Sequence, residues 1–160
     1  MLKIAAASAL STLILVTATP AEVSRQKIDN DLSRCDGSNG SAVLVKISGV
    51  KAGTGTMRVQ TYRGTKSEWL KKGAWLHRVE MPARKGDMQF CLPIEAAGTY
   101  AVAVRHDINN NGKTDIFSDG GGMSNNPSIN IFNLGKPSYK KTAFAVGNEV
   151  KSINIRMKYR

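Results

Sequence analysis

Short apolar runs with a period of two, broken every few residues by turn formers, most tightly constrain what this chain can fold into. In residues 99–106, Tyr100, Val102 and Val104 alternate with Ala101, Ala103 and Arg105. In residues 151–159, Ile153, Ile155, Met157 and Tyr159 face one way, while Asn154, Arg156 and Lys158 face the other. Alternation of this kind places one side of a strand in a core and the other in water. Weaker versions recur in residues 42–48, 56–62, 77–81, 87–92 and 142–146, with turns at 49–55 and 82–86. About seven strands joined in this way predict an all-β chain, an immunoglobulin-like or prealbumin-like β-sandwich. Only residues 67–76 have helical character, as a short insertion ahead of Gly73.

Residues 1–21 stand apart from this pattern. Lys3 gives a basic start, Ile4 to Val16 is apolar with Ala and Ser mixed in, and small residues follow, so cleavage is expected after Ala18 or Ala21. The apolar stretch is shorter than the roughly 20 residues a helix needs to cross a bilayer. It reads as a signal peptide, so the protein is expected to be exported, periplasmic or secreted, with no transmembrane helix once the segment is removed. Residues 22–41 then form a polar leader and residues 42–160 a single domain, expected to be monomeric. An oxidising compartment gives the two cysteines, Cys35 and Cys91, one possible intramolecular pair. Closing about 55 residues in this way constrains the unfolded chain by about 4 kcal/mol. Zinc wants four ligands, and only His77 and His106 could join the cysteines.

One stretch carries chemistry. From His106 to Asp119 the chain reads HDINNNGKTDIFSD. Against a calcium-loop pattern, Asp107, Asn109 and Asn111 fill positions one, three and five, and Gly112 the sharp turn at six. Lys113 would offer its carbonyl at seven and Asp115 its carboxylate at nine. Ser118 stands where a bidentate Glu belongs, with Asp119 beside it. Two readings stay open: a weak calcium site, with a dissociation constant of roughly 10⁻⁴–10⁻³ M, or a metal-free turn in which Asp and Asn cap backbone amides. In either, His106 ends its strand and orients the loop by donating to a carbonyl or to Asp115.

The stretch GTYAVAVRHDINNNGKTD, then GMSNNP and KPSYKKTAFAV, resembles the bacterial family called domain of unknown function 2141. In that family a G-x-Y-A-x-x-x-x-H-D segment runs into an N-G-x-x-D loop and a G-[FM]-S-N-N element. The likeness covers residues 42–159 and is densest at 98–127. It implies an exported β-sandwich, with no activity attached, in which Cys35 and Cys91 mark a branch. The chain departs from the pattern at Gly120-Gly-Gly122, where many members carry a longer segment with Pro and Glu, so a possible acidic ligand is missing.

The residues favour a non-catalytic module over an enzyme. His106 and Asp107 are neighbours on a strand and point to opposite faces, so they cannot form a dyad. Ser124 lies in Gly-Met-Ser-Asn-Asn, which is not a nucleophile elbow. The alternative is a small hydrolase of an envelope polymer with His106 and Asp107 near its site. Trp69 and Trp75 could stack on sugars or roof one open end of the sandwich. The formal charge of +11 is the second lead. Eight Lys or Arg lie between Arg58 and Lys85 and seven between Lys136 and Arg160. If both segments share a sheet face, that face attracts lipopolysaccharide, acidic glycans or phospholipid headgroups. Nucleic acid is not expected, since no binding motif is present.

Overall fold

The computed structural model describes residues 25–130, 133 and 135–160. The segment read as a signal peptide lies outside them. The described residues begin with strand β1 (Gln26–Ile28), a 3-10 turn (Leu32–Cys35), β2 (Ala42–Val50), β3 (Thr56–Arg63) and β4 (His77–Pro82). They continue through β5 (Gly86–Pro93), β6 (Gly98–Asp107), β7 (Gly120–Met123), the one-turn helix α1 (Tyr139–Thr142), β8 (Phe144–Val146) and β9 (Val150–Arg156).

Among the described residues these strands make two sheets. The larger runs β1-β4-β3-β6-β7, with β8 pairing the other half of β6, and the smaller runs β5-β2-β9. Each sheet contains one parallel pair, β1 with β4 and β2 with β9. Val43, Val45 and Ile47 of β2, Phe90 and Leu92 of β5 and Ile155 of β9 share one apolar cluster with Val59, Val79, Tyr100, Val102 and Val104 of the larger sheet. Two sheets burying one common core form a β-sandwich.

β1 and β7 were not visible as alternating runs. β1 is a short polar edge strand, and β7 is Gly-Gly-Gly-Met. A Cβ at Gly120 would lie 2.3 Å from the Tyr159 ring, and one at Gly122 2.6 Å from the Ile155 side chain. The edge of the larger sheet therefore meets the end of the smaller one on bare backbone. The insertion at 67–76 is a series of turns and not a helix. Trp69 N–H reaches the Thr65 carbonyl at 3.0 Å, but Leu70 (φ 54°) and Gly73 (φ 75°) are left-handed and end any helical path. The helix lies instead at Tyr139–Thr142 and takes in Thr142, which the pattern placed in a strand.

The polar leader ties the two sheets together. After β1 joins the larger sheet, Asn30 takes up backbone groups of β5, an edge strand of the smaller one. Its Oδ1 accepts from the Cys91 N–H at 3.0 Å, and its Nδ2 donates to the Gln89 carbonyl at 2.9 Å. Cys35, at the end of the 3-10 turn, is disulfide-bonded to Cys91. No helix among the described residues is long and apolar enough to cross a membrane.

Strand register decides what meets at each end of the sandwich. Thr56 pairs with both Asp107 and Pro82, Val50 with Gly86, and Ser48 with Arg156. The turns at 51–55 and 83–85, the loop at 108–119 and the C-terminal residues therefore share one end.

Candidate functional site

β6 delivers the chemistry-bearing residues to that end. Its alternation sends Tyr100, Val102, Val104 and His106 inward, and Arg105 and Asp107 outward. His106 is fully buried. Its Nε2 lies 2.7 Å from the Thr54 carbonyl and its Nδ1 2.8 Å from the Tyr159 hydroxyl. A carbonyl only accepts, so Nε2 carries the proton and Nδ1 accepts from Tyr159. The Tyr159 oxygen in turn accepts from the Lys51 N–H at 3.1 Å. Burial raises the Tyr159 pKa, against a smaller opposing pull from that N–H. His106 is thus a clamp joining the 51–55 turn, the loop and the C-terminus. Its proton goes to Thr54 and not to Asp115, and neither ring nitrogen is left for a substrate. Ser124 is committed in the same way: its buried hydroxyl accepts from the Val102 N–H at 3.0 Å and donates to the Thr142 carbonyl at 2.6 Å.

The loop itself is held by side chains. Asp107 Oδ2 accepts from the Gly112 N–H at 2.9 Å and from Arg105 Nη2 at 3.0 Å. Asp107 Oδ1 is buried and has no hydrogen-bond partner among the described residues, on a side chain only 6% exposed. Asn109 Oδ1 accepts from the Asn111 N–H at 3.2 Å, and Asn111 Oδ1 from the Lys113 N–H at 2.8 Å. The amide nitrogens of Asn109 and Asn111 both donate to Asp115 Oδ2, at 3.0 and 2.6 Å. Those two hydrogen bonds hold the Asp115 carboxyl below its ordinary range. Asn110 (φ 58°) and Gly112 (φ 76°) supply the left-handed residues that the tight path demands.

Asp107 and Gly112 are therefore tied together with Arg105, and Asn109, Asn111 and Asp115 form a second hydrogen-bonded group. Lys113 enters through its backbone N–H. Asp119, read beside position twelve, spends both carboxylate oxygens on the loop's own backbone: Oδ1 on the Ile108 N–H at 3.2 Å and Oδ2 on the Asp115 N–H at 3.0 Å. Among the described residues no three His, Cys, Asp or Glu side chains gather as a metal site. A cation held here would rest on the carboxylates of Asp107 and Asp115 and on neutral oxygens.

Sequence reasoning missed Arg105 as a loop residue. It clamps Asp107 and reaches the Gly112 carbonyl and Thr114 Oγ1, each at 3.2 Å. The signal was present, because residues i and i+2 of a strand share a face.

The tryptophans and the basic charge are arranged differently from expectation. Trp69 packs edge-on to Tyr62 at 5.4 Å and donates its Nε1–H to the Pro137 carbonyl at 2.8 Å. With Ala101 and Met123 these residues form a second apolar cluster, which includes Trp75. That cluster lies on the outer face of the larger sheet and not over an open end. Arg78 stacks on Trp75 at 4.3 Å. On the same face Glu80 gathers Lys27 at 2.8 Å, Arg58, and Arg78 at 3.8 Å. Burial pushes the Glu80 carboxyl up, but hydrogen bonds from Lys27 and Arg58 outweigh it and leave it below its ordinary range. Lys151 and Arg156 belong to β9 of the smaller sheet. Lys151 and Arg156 therefore lie on a different sheet from Arg58 and Arg78.

Residues 45–154 match a family described as an uncharacterized protein conserved in bacteria, DUF2141. No curated protein and no solved structure matches the chain. With most of its length covered by that match, the chain belongs to the DUF2141 family.

Proposed function

We propose that the protein is an exported, non-catalytic binding module whose 107–119 loop takes a calcium ion weakly. One observation carries this reading: Asp107 Oδ1 is buried with no donor. A buried polar atom left without a partner costs about 1–3 kcal/mol, and a hard cation that takes oxygen ligands would remove that cost. Asp107, Asn109, Asn111 and Asp115 are the side chains proposed to hold it, with Lys113 contributing its carbonyl. His106 and Gly112 set the loop's path. Export is supported by the Cys35–Cys91 disulfide, a bond that persists in oxidising compartments, and by the signal-like start of the sequence. The hydrolase reading gains nothing from the geometry, since His106 and Ser124 are both committed to internal hydrogen bonds.

Thermal unfolding of the oxidised protein in EDTA and in rising calcium tests this. A ligand at 100 times its dissociation constant that binds only the folded state adds about 2.7 kcal/mol. The expected result is a saturable rise in Tm that Asp107→Asn removes. A Tm that stays flat into the millimolar range would mean that the loop is a hydrogen-bonded turn without a metal role.

A further inference from the structure

The loop that carries Asp107 also carries the most exposed apolar pair of the described chain. Phe117 is 85% exposed and Ile116 58%, and Leu32 at 46% is the only other large apolar residue so exposed among the described residues. The pair sits at the tip of a turn whose backbone is tied down. The Asp115 carbonyl accepts from the Ser118 N–H at 3.2 Å and the Asp119 N–H at 2.8 Å, while Asp119 Oδ2 accepts from the Asp115 N–H at 3.0 Å. A slack loop could fold Phe117 back onto the sandwich. This one holds it in water.

The surroundings of the pair are basic. Register and contacts bring exposed Lys51, Arg84, Lys85, Lys113 and Arg160 to this end. Lys51 lies 5.9 Å from the Tyr159 ring, and the Lys85 backbone lies 3.8 Å from where a Cβ on Gly53 would sit. Against these five stand Asp87, the half-buried Asp115 and the buried Asp119, while Asp107 is paired with Arg105. An apolar projection set among cations is complementary to a bilayer whose surface is anionic and whose interior is apolar.

We infer that this end of the sandwich docks on anionic phospholipid, with Ile116 and Phe117 entering the interface and the lysines and arginines resting on headgroup phosphates. The inference rests on the calcium reading in one respect. A bound divalent cation would neutralise the loop carboxylates that otherwise repel an anionic surface, so calcium would strengthen docking.

The test is sedimentation of the signal-cleaved protein with phosphatidylglycerol-containing vesicles and with pure phosphatidylcholine vesicles, each in EDTA and in millimolar calcium. Binding is expected only with phosphatidylglycerol, weakening as salt rises, and it should fall by about tenfold or more in Phe117→Ser through lost apolar burial. Leu32→Ser, which removes an exposed apolar residue elsewhere, should bind like the parent. Phe117 belongs to neither apolar cluster, so Phe117→Ser should unfold at the parent Tm. In Phe117→Trp, the indole emission should shift to the blue on adding the anionic vesicles. Equal binding by the parent and Phe117→Ser overturns the inference, as does no binding by the parent in either condition. A Phe117→Ser effect on self-association alone would make the pair a protein contact and also overturn it. The two readings can fail separately. Anionic docking that ignores calcium upholds the lipid surface and removes the metal, while a calcium-dependent Tm without docking does the reverse.

Discussion

Two stretches of this chain each place three Asp among Asn residues, yet they are built for different ends. In the leader, Asp31 accepts from both the backbone and the hydroxyl of Ser33, and Asp36 does the same with Ser38. These hydrogen bonds, the side-chain ones first, hold both carboxyls below their ordinary range while the groups stay exposed. Such turns are complete in themselves. In the loop at 107–119, Asp115 and Asp119 are satisfied in a similar way, but Asp107 is buried with one oxygen left over. An Asx-rich sequence alone therefore says little about ligands. What sets the second stretch apart is that its first residue ends a core strand and keeps its carboxylate buried beneath the loop.

Four measurements test whether the two stretches differ in this way. The largest effect should come from the leader, whose role is mechanical. Reducing the Cys35–Cys91 disulfide, or replacing both cysteines with serine, should cost about 4 kcal/mol, a fall in Tm of roughly 10 °C in calorimetry for a domain of this size. Next, calcium should raise Tm by several degrees in the parent and in Asp36→Asn but not in Asp107→Asn. Equal responses in the two variants would erase the distinction between the loops. Third, Gly40→Ala and Gly112→Ala should each cost about 1–2 kcal/mol in EDTA, because both force a side chain into a left-handed backbone (φ 83° and 76°) with open space around it. Only Gly112→Ala should also move the calcium midpoint.

The smallest effect concerns protons. Asp115, with its pKa lowered by Asn109 and Asn111, contributes stability that is present above the unfolded value of 3.8 and lost as pH falls through the lower folded value. In NMR titrations, Asn111→Ala should move the Asp115 midpoint up toward 3.8 and leave those of Asp31 and Asp36 where they are.

The sequence made the inner strands legible because each buries one face, and a period of two records that directly. β1 and β7 left no such trace. β1 is polar and gains its place from backbone pairing to β4, and β7 has no side chains to alternate until Met123. The tryptophan insertion looked helical because its polar and apolar residues are mixed, but left-handed Leu70 and Gly73 interrupt it. At the site, the spacing of Asp107, Asn109, Asn111 and Asp115 was readable. That Asp119 would be spent on backbone amides was not, because this depends on where Ile108 and Asp115 fall in space. The same holds for His106, whose partners Thr54 and Tyr159 lie more than 50 residues away in either direction.

The Gly112 amide reports on Asp107, because its N–H is bonded to Asp107 Oδ2 at 2.9 Å. Calcium titration of the oxidised protein followed by amide NMR should move the Gly112 signal saturably, with a midpoint of roughly 10⁻⁴–10⁻³ M, while the Ser33 and Ser38 amides stay still. A Gly112 signal that does not move, or one that moves no more than those of Ser33 and Ser38, would contradict the account.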